Sequence, residues 1–211
     1  MDGTLNQLEG RFAFINQIDK FNNKKDGQKH SVYSLNGRER QYQAFLFYRY
    51  FFCAEKPIII TEGKTDVLYL KAALKKMCKE YPNLIERDNE GNYHYKVSFF
   101  TRSKKWEYFF GMSTDGADTI TNLYRFYLPE RNTANLLETF QELTGKNPKN
   151  PVIFLFDNEA QTKDKPLKKF LSDKTITTSM ADVLQEDLRV ELIDRAKVFL
   201  MTTPLQDGGK D

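Results

Sequence analysis

Two places in the sequence set carboxylates at the ends of apolar runs. Residues 57–66 read PIIITEGKTD, where three isoleucines give way at once to Thr61, Glu62 and Gly63, with Lys64 and Asp66 just behind. Residues 151–160 read PVIFLFDNEA and end in Asp157 and Glu159. If the two runs are neighbouring strands, Glu62, Asp157 and Glu159 converge. Two carboxylates about 4 Å apart repel by roughly 4 kcal/mol at an effective dielectric near 20, so three at one edge need protonation, separation or a cation. Hard oxygen donors without histidine or thiolate suit Mg²⁺ or Mn²⁺ rather than Zn²⁺. An ion of that kind polarises a phosphoryl oxygen and generates hydroxide at neutral pH, which is the chemistry of phosphodiester hydrolysis. Asp157 and Glu159 are two residues apart, and from an extended segment both would reach one ion. Asp66 is a candidate for a second ion. Gly63, Lys64 and the loop containing Gly116 are candidates for phosphate contact. Each residue also has a plainer reading. Glu62 and Asp66 would favour a helix N-terminus, Asp157 would cap a helix, Gly63 would make a tight turn, and Lys64 would be solvated. The pairing of two acidic strand ends is what favours chemistry.

Elements must position these groups. Residues 57–61 read as a short strand, and 64–80 as an amphipathic helix with Val67, Leu70, Leu74 and Met77 at three- or four-residue steps. A turn and second strand follow over 89–101, helices over 116–128 and 133–145, and an apolar strand over 151–156. Residues 166–171 and 180–193 read as helical, and 196–204 as a last strand. Apolar strands alternating with helices imply an α/β fold, a Rossmann-like parallel sheet of about four strands with helices on both faces. Ligands of such sheets sit beyond the carboxyl ends of the strands, where both acidic clusters fall. Residues 1–52 differ from the rest. A short apolar stretch over 8–22 and a polar, lysine-rich linker over 22–31 precede an aromatic helix over 37–56. They are expected to form a helical lead-in to a main domain over 53–211.

The 211 residues suffice for one substantial domain, and a net charge of +3 is too mild to demand a nucleic-acid partner. Local lysine and arginine clusters, such as Arg102, Lys104 and Lys105, are read first as solvated faces. Cys53, Cys78, His30 and His94 are isolated, so neither a zinc site nor a disulfide framework is expected. Without a signal-peptide pattern or an apolar run of membrane-spanning length, the expectation is a soluble cytoplasmic protein.

At IIITEGKTD and VIFLFDNEA the sequence resembles the toprim domain, the metal-binding module of topoisomerases, bacterial primases and overcoming-lysogenization-defect nucleases. That family's first motif is an apolar strand ending in Glu-Gly, and its second a strand ending in Asp-x-Asp; here Glu159 stands where the second aspartate would be. The resemblance spans about 56–203 and implies Mg²⁺ (or Mn²⁺) held by Glu62, Asp157, Glu159 and Asp66. TEGKTDVLYLKAAL, GADTI and LEGRFAFINQIDKFN are further similar to the toprim extension fused behind certain bacterial retron reverse transcriptases, with 1–52 matching the connector after the polymerase thumb. That implies a nuclease effector of antiphage defence, controlled by the reverse transcriptase and its RNA–DNA product. Nucleases of this kind often continue into a further acidic segment where this sequence reads PLQDGGKD, so a shortened C-terminus is expected. A topoisomerase would need a tyrosine-bearing domain, and a primase a zinc module. A non-catalytic scaffold that binds nucleic acid and the polymerase, or a nuclease of RNA maturation, stays open beside the DNA or RNA nuclease.

Overall fold

The computed structural model describes residues 35–113, 119–129, 135–160, 165–173 and 175–204. The expected elements at 8–22 and 22–31, and Gly116, lie outside the described residues. The described chain opens with helix α1, Gly37–Phe47, which continues as a π-helical turn over Tyr48–Phe52. Asn36 starts α1 by a reciprocal cap: its side chain accepts from the Arg38 and Glu39 N–H groups, while the Glu39 carboxylate accepts from the Asn36 N–H at 2.7 Å. Tyr42, Leu46, Phe47, Phe51 and Phe52 are buried. The expected aromatic helix is therefore present, and its π-helical end packs against Trp106, which belongs to a later helix over Lys104–Phe110, with 5.6 Å between the Phe51 and Trp106 ring centres.

Strand β1, Ile58–Thr61, leads to helix α2, Asp66–Lys76. A hairpin of β2, Ile85–Arg87, and β3, Tyr93–Tyr95, follows, and then the two-residue strand β4, Ser98–Phe99. The expected single strand over 89–101 is thus divided between the hairpin and the main sheet. Helices α3, Lys104–Phe110, α4, Thr119–Tyr124, and α5, Leu136–Thr144, precede strand β5, Val152–Phe156. Gly145, in left-handed conformation at φ 64°, ends α5. Helix α6, Pro166–Leu171, matches its expected bounds. The expected helix over 180–193 is corrected: α7, Thr178–Asp187, stops at Leu188 in left-handed conformation, and Arg189–Ile193 is strand β6. The last strand is β7, Val198–Thr202.

The five-stranded sheet runs β4-β1-β5-β7-β6. The first four strands are parallel, and β6 pairs antiparallel with β7 at one edge. Along β5, Val152, Phe154 and Phe156 are buried and the intervening residues half-buried, so one face of the sheet is sealed and the other partly covered. On the sealed side Phe170 of α6 meets Phe154 and Phe156 at 6.2 and 5.4 Å, and Tyr124 at 5.3 Å. Rings filling one layer in this way anchor the middle strands, which carry the acids at their carboxyl ends. No described helix is long and apolar enough to cross a membrane.

Candidate functional site

Register brings the two acidic strand ends together. Thr61 pairs with Leu155, and the Glu62 N–H donates to the Leu155 carbonyl at 3.2 Å, which extends the ladder one residue beyond β1. The Glu62 side chain then lies against the start of the next segment, where its carboxylate accepts from the Asp157 backbone N–H. Burial raises the Glu62 pKa, and the charges of Asp157, Glu159 and Asp66 raise it further. Asp157 is raised too, first by burial and then by Asp66 and Glu159. Glu62 and Asp157 therefore both feel the charges of Asp66 and Glu159. Glu62 Oε2 is buried and has no hydrogen-bond partner among the described residues.

The local geometry at Asp157 corrects one expectation. Residues 157–159 are not extended: the Glu159 N–H folds back onto the Asp157 carbonyl at 2.9 Å in a tight turn. The alternation argument for a shared ion therefore fails, and the Glu159 carboxylate accepts instead from Lys165 Nζ at 2.7 Å. The end of β7 steadies this turn, since the Thr203 N–H donates to the Phe156 carbonyl at 3.1 Å and Thr203 Oγ1 accepts from the Asn158 N–H at 3.2 Å.

On the β1 side, three interactions fix the turn that carries Glu62. Thr61 Oγ1 donates to the Gly63 carbonyl at 2.7 Å, and the Gly63 N–H donates to Asp66 Oδ2 at 2.6 Å. The Arg102 guanidinium donates to the Thr61 carbonyl at 2.7 Å and also to the Glu62 carbonyl. Asp66 thus turns back onto the turn rather than serving only the helix dipole. Gly63 is needed for close approach: a Cβ there would lie 2.9 Å from Asp66 Oδ1. Gly63→Ala is expected to keep the fold but push the Asp66 carboxylate off the Gly63 N–H, with a cost of about 1 kcal/mol. Thermal melting of the variant beside Asp66→Asn checks this, because a carboxylate already displaced should make the second substitution nearly silent.

Lys64 is exposed at the mouth of the turn. Lys165 and Arg102 are the two site residues that the spacing of motifs does not reveal. Among the described residues no three histidine, cysteine or acidic side chains are gathered tightly enough to hold a metal ion outright. The donors nonetheless have the right chemistry for a hard divalent cation: carboxylate oxygens that raise one another's pKa, and one buried oxygen with no hydrogen-bond partner among the described residues. Neither a family model nor a solved structure matches the chain.

Proposed function

We propose that this chain is a divalent-metal-dependent nuclease that hydrolyses phosphodiester bonds of DNA or RNA, working as the toprim-type effector of a retron-like antiphage system under the control of a reverse transcriptase and its RNA–DNA product. The observation that carries the nuclease reading is the buried, unpartnered Glu62 oxygen among mutually repelling acids at the carboxyl edge of a parallel sheet. Such an edge is where α/β sheets bind ligands. The wider assignment to a retron effector rests on the sequence resemblance alone.

Glu62, Asp157 and Asp66 would hold Mg²⁺ or Mn²⁺, with Glu159 joining them on release of Lys165. The ion, when bound, supplies Lewis-acid polarisation of the phosphoryl oxygen and acidifies the attacking water. Glu62 would serve as metal ligand or general base, and Arg102, bonded to the Thr61 and Glu62 carbonyls, would hold its backbone in place. Lys165 stands beside the acids as a positive charge able to move from Glu159 to a phosphate oxygen.

Labelled single-stranded DNA, duplex DNA and RNA incubated with the chain in Mg²⁺, Mn²⁺ or EDTA test the reading. Cleavage with either ion and none in EDTA is expected; cutting that persists in EDTA would overturn it. The Lys165–Glu159 pair favours a second reading, in which lysine permanently neutralises the acids and the chain is a scaffold binding nucleic acid without cutting. On that reading binding survives EDTA and no ion produces cleavage.

A further inference from the structure

A groove lies beside the edge strand β4, and none of the four acids lines it. It measures about 1150 Å³ and is walled by the π-helical turn on one side and by β4 with the residues after it on the other. β4 is the last strand of the sheet on that side, so only its inner edge is paired. The groove runs up β4 to Thr101. The next residue, Arg102, holds the Glu62 turn. The groove lining thus ends one residue short of the arginine that holds the Glu62 turn.

Its walls combine aromatic faces with cations. Tyr50 is 40% exposed, and its ring stands edge-on to Trp106 with 5.1 Å between centres. The Arg49 guanidinium lies 5.7 Å from the Tyr50 ring centre and Lys105 Nζ 5.2 Å from it; Lys105 also sits 5.3 Å from the Trp106 ring. Arg49 and Lys56 line the groove, Lys105 stands beside it over the rings of Tyr50 and Trp106, and Glu55 is the one acid lining it among the described residues. An exposed ring with cations over it suits an unpaired strand, because its phosphates draw the cations off and a base can take their place on the ring. A duplex keeps its bases stacked on one another and offers Tyr50 only its backbone.

We infer that this groove is the track of a single-stranded nucleic acid, with a base stacked on Tyr50 and the strand led past Arg102 to the acids. The inference rests on the nuclease reading for the strand's destination, though not for its binding. The groove commits the substrate to single strands or to unpaired segments of a longer nucleic acid.

The test titrates fluorescein-labelled single-stranded DNA and RNA, and the matching duplexes, with the chain in EDTA, reading anisotropy and the emission of Trp106, the chain's one tryptophan. Single strands are expected to bind at least about fivefold more tightly than duplex and to change the Trp106 emission. Tyr50→Ala is expected to weaken single-strand binding about tenfold. Lys105→Glu is expected to weaken it and lower its salt dependence. Equal binding of single strand and duplex, absent binding, or wild-type affinity in both variants with unchanged far-ultraviolet circular dichroism would overturn the inference. A strand that binds with these signatures but is not cut in Mg²⁺ sinks the nuclease reading and leaves the groove standing. Metal-dependent cutting without them does the reverse.

Discussion

Glu62→Ala and Glu62→Gln are expected to lose metal-dependent cleavage by about 10³-fold or more, while Glu62→Gln melts higher than the parent chain in EDTA. The first effect follows from removing the group placed both to hold the ion and to accept a proton. The second follows because the native carboxylate is half-buried, repelled by Asp157, Glu159 and Asp66, and has one buried oxygen without a partner among the described residues. Relieving that charge should raise the melting temperature slightly, because solvent screens part of the repulsion at this half-exposed group. The pH dependence has a fixed sign. Glu62 and Asp157 are both raised in the folded chain, so the folded state holds their protons more firmly than the unfolded state does. Their contribution is whole below the ordinary carboxylate range and is lost as pH rises through the raised values. Denaturant titrations in EDTA from about pH 4 to about pH 8 should therefore show a decline that is shallower in Glu62→Gln. A variant that cuts like the parent, or that loses stability in EDTA at neutral pH, would remove Glu62 from the centre of the site.

Arg102→Ala is expected to reduce kcat about 10²-fold with little change in KM, since a small displacement of a catalytic group is enough for such a loss. Arg102 acts through Glu62, because its guanidinium grips the two carbonyls flanking the strand tip. Losing charge-assisted bonds of this kind costs about 1.5–3 kcal/mol, so melting should fall as well. Arg102→Lys keeps the charge and can restore one bond, and a partial return of kcat separates positioning from general damage. If instead KM rises and kcat holds, Arg102 grips the substrate phosphate and not the turn.

Much of this fold is legible in the sequence because its middle strands are short, β-branched or aromatic, and closed by abrupt polar ends. β1, β5 and β7 follow from such runs, and α6 follows from Pro166 at its first turn. β6 is misread because no glycine or proline marks the end of α7. Leu188 makes that break in left-handed conformation, against its own preference. Yet Arg189, Val190, Glu191 and Leu192 alternate between exposed and buried, a period of two that a helical reading absorbs too easily. Helix α3 is hidden inside a cationic cluster, where Lys104 and Lys105 draw attention away from buried Trp106, Phe109 and Phe110. Of the site, Glu62 and Asp157 are readable because strand ends of one parallel sheet must meet. Arg102 and Lys165 are not, since a guanidinium gripping carbonyls some forty positions away, or a lysine reaching across a turn, leaves no local pattern.

The order β4-β1-β5 also dictates when the site can exist. Ile59 pairs with Ile153, a separation of roughly ninety positions that makes closure of this contact slow and late. During synthesis at about 5–20 residues per second, β1 waits several seconds for the strand that flanks it on the side of Asp157. Until β5 docks, Glu62 has no Asp157 beside it and no cluster to join. The acidic edge is therefore assembled by topology, and Glu62 and Asp157 come together only after the sheet has closed around its middle strands.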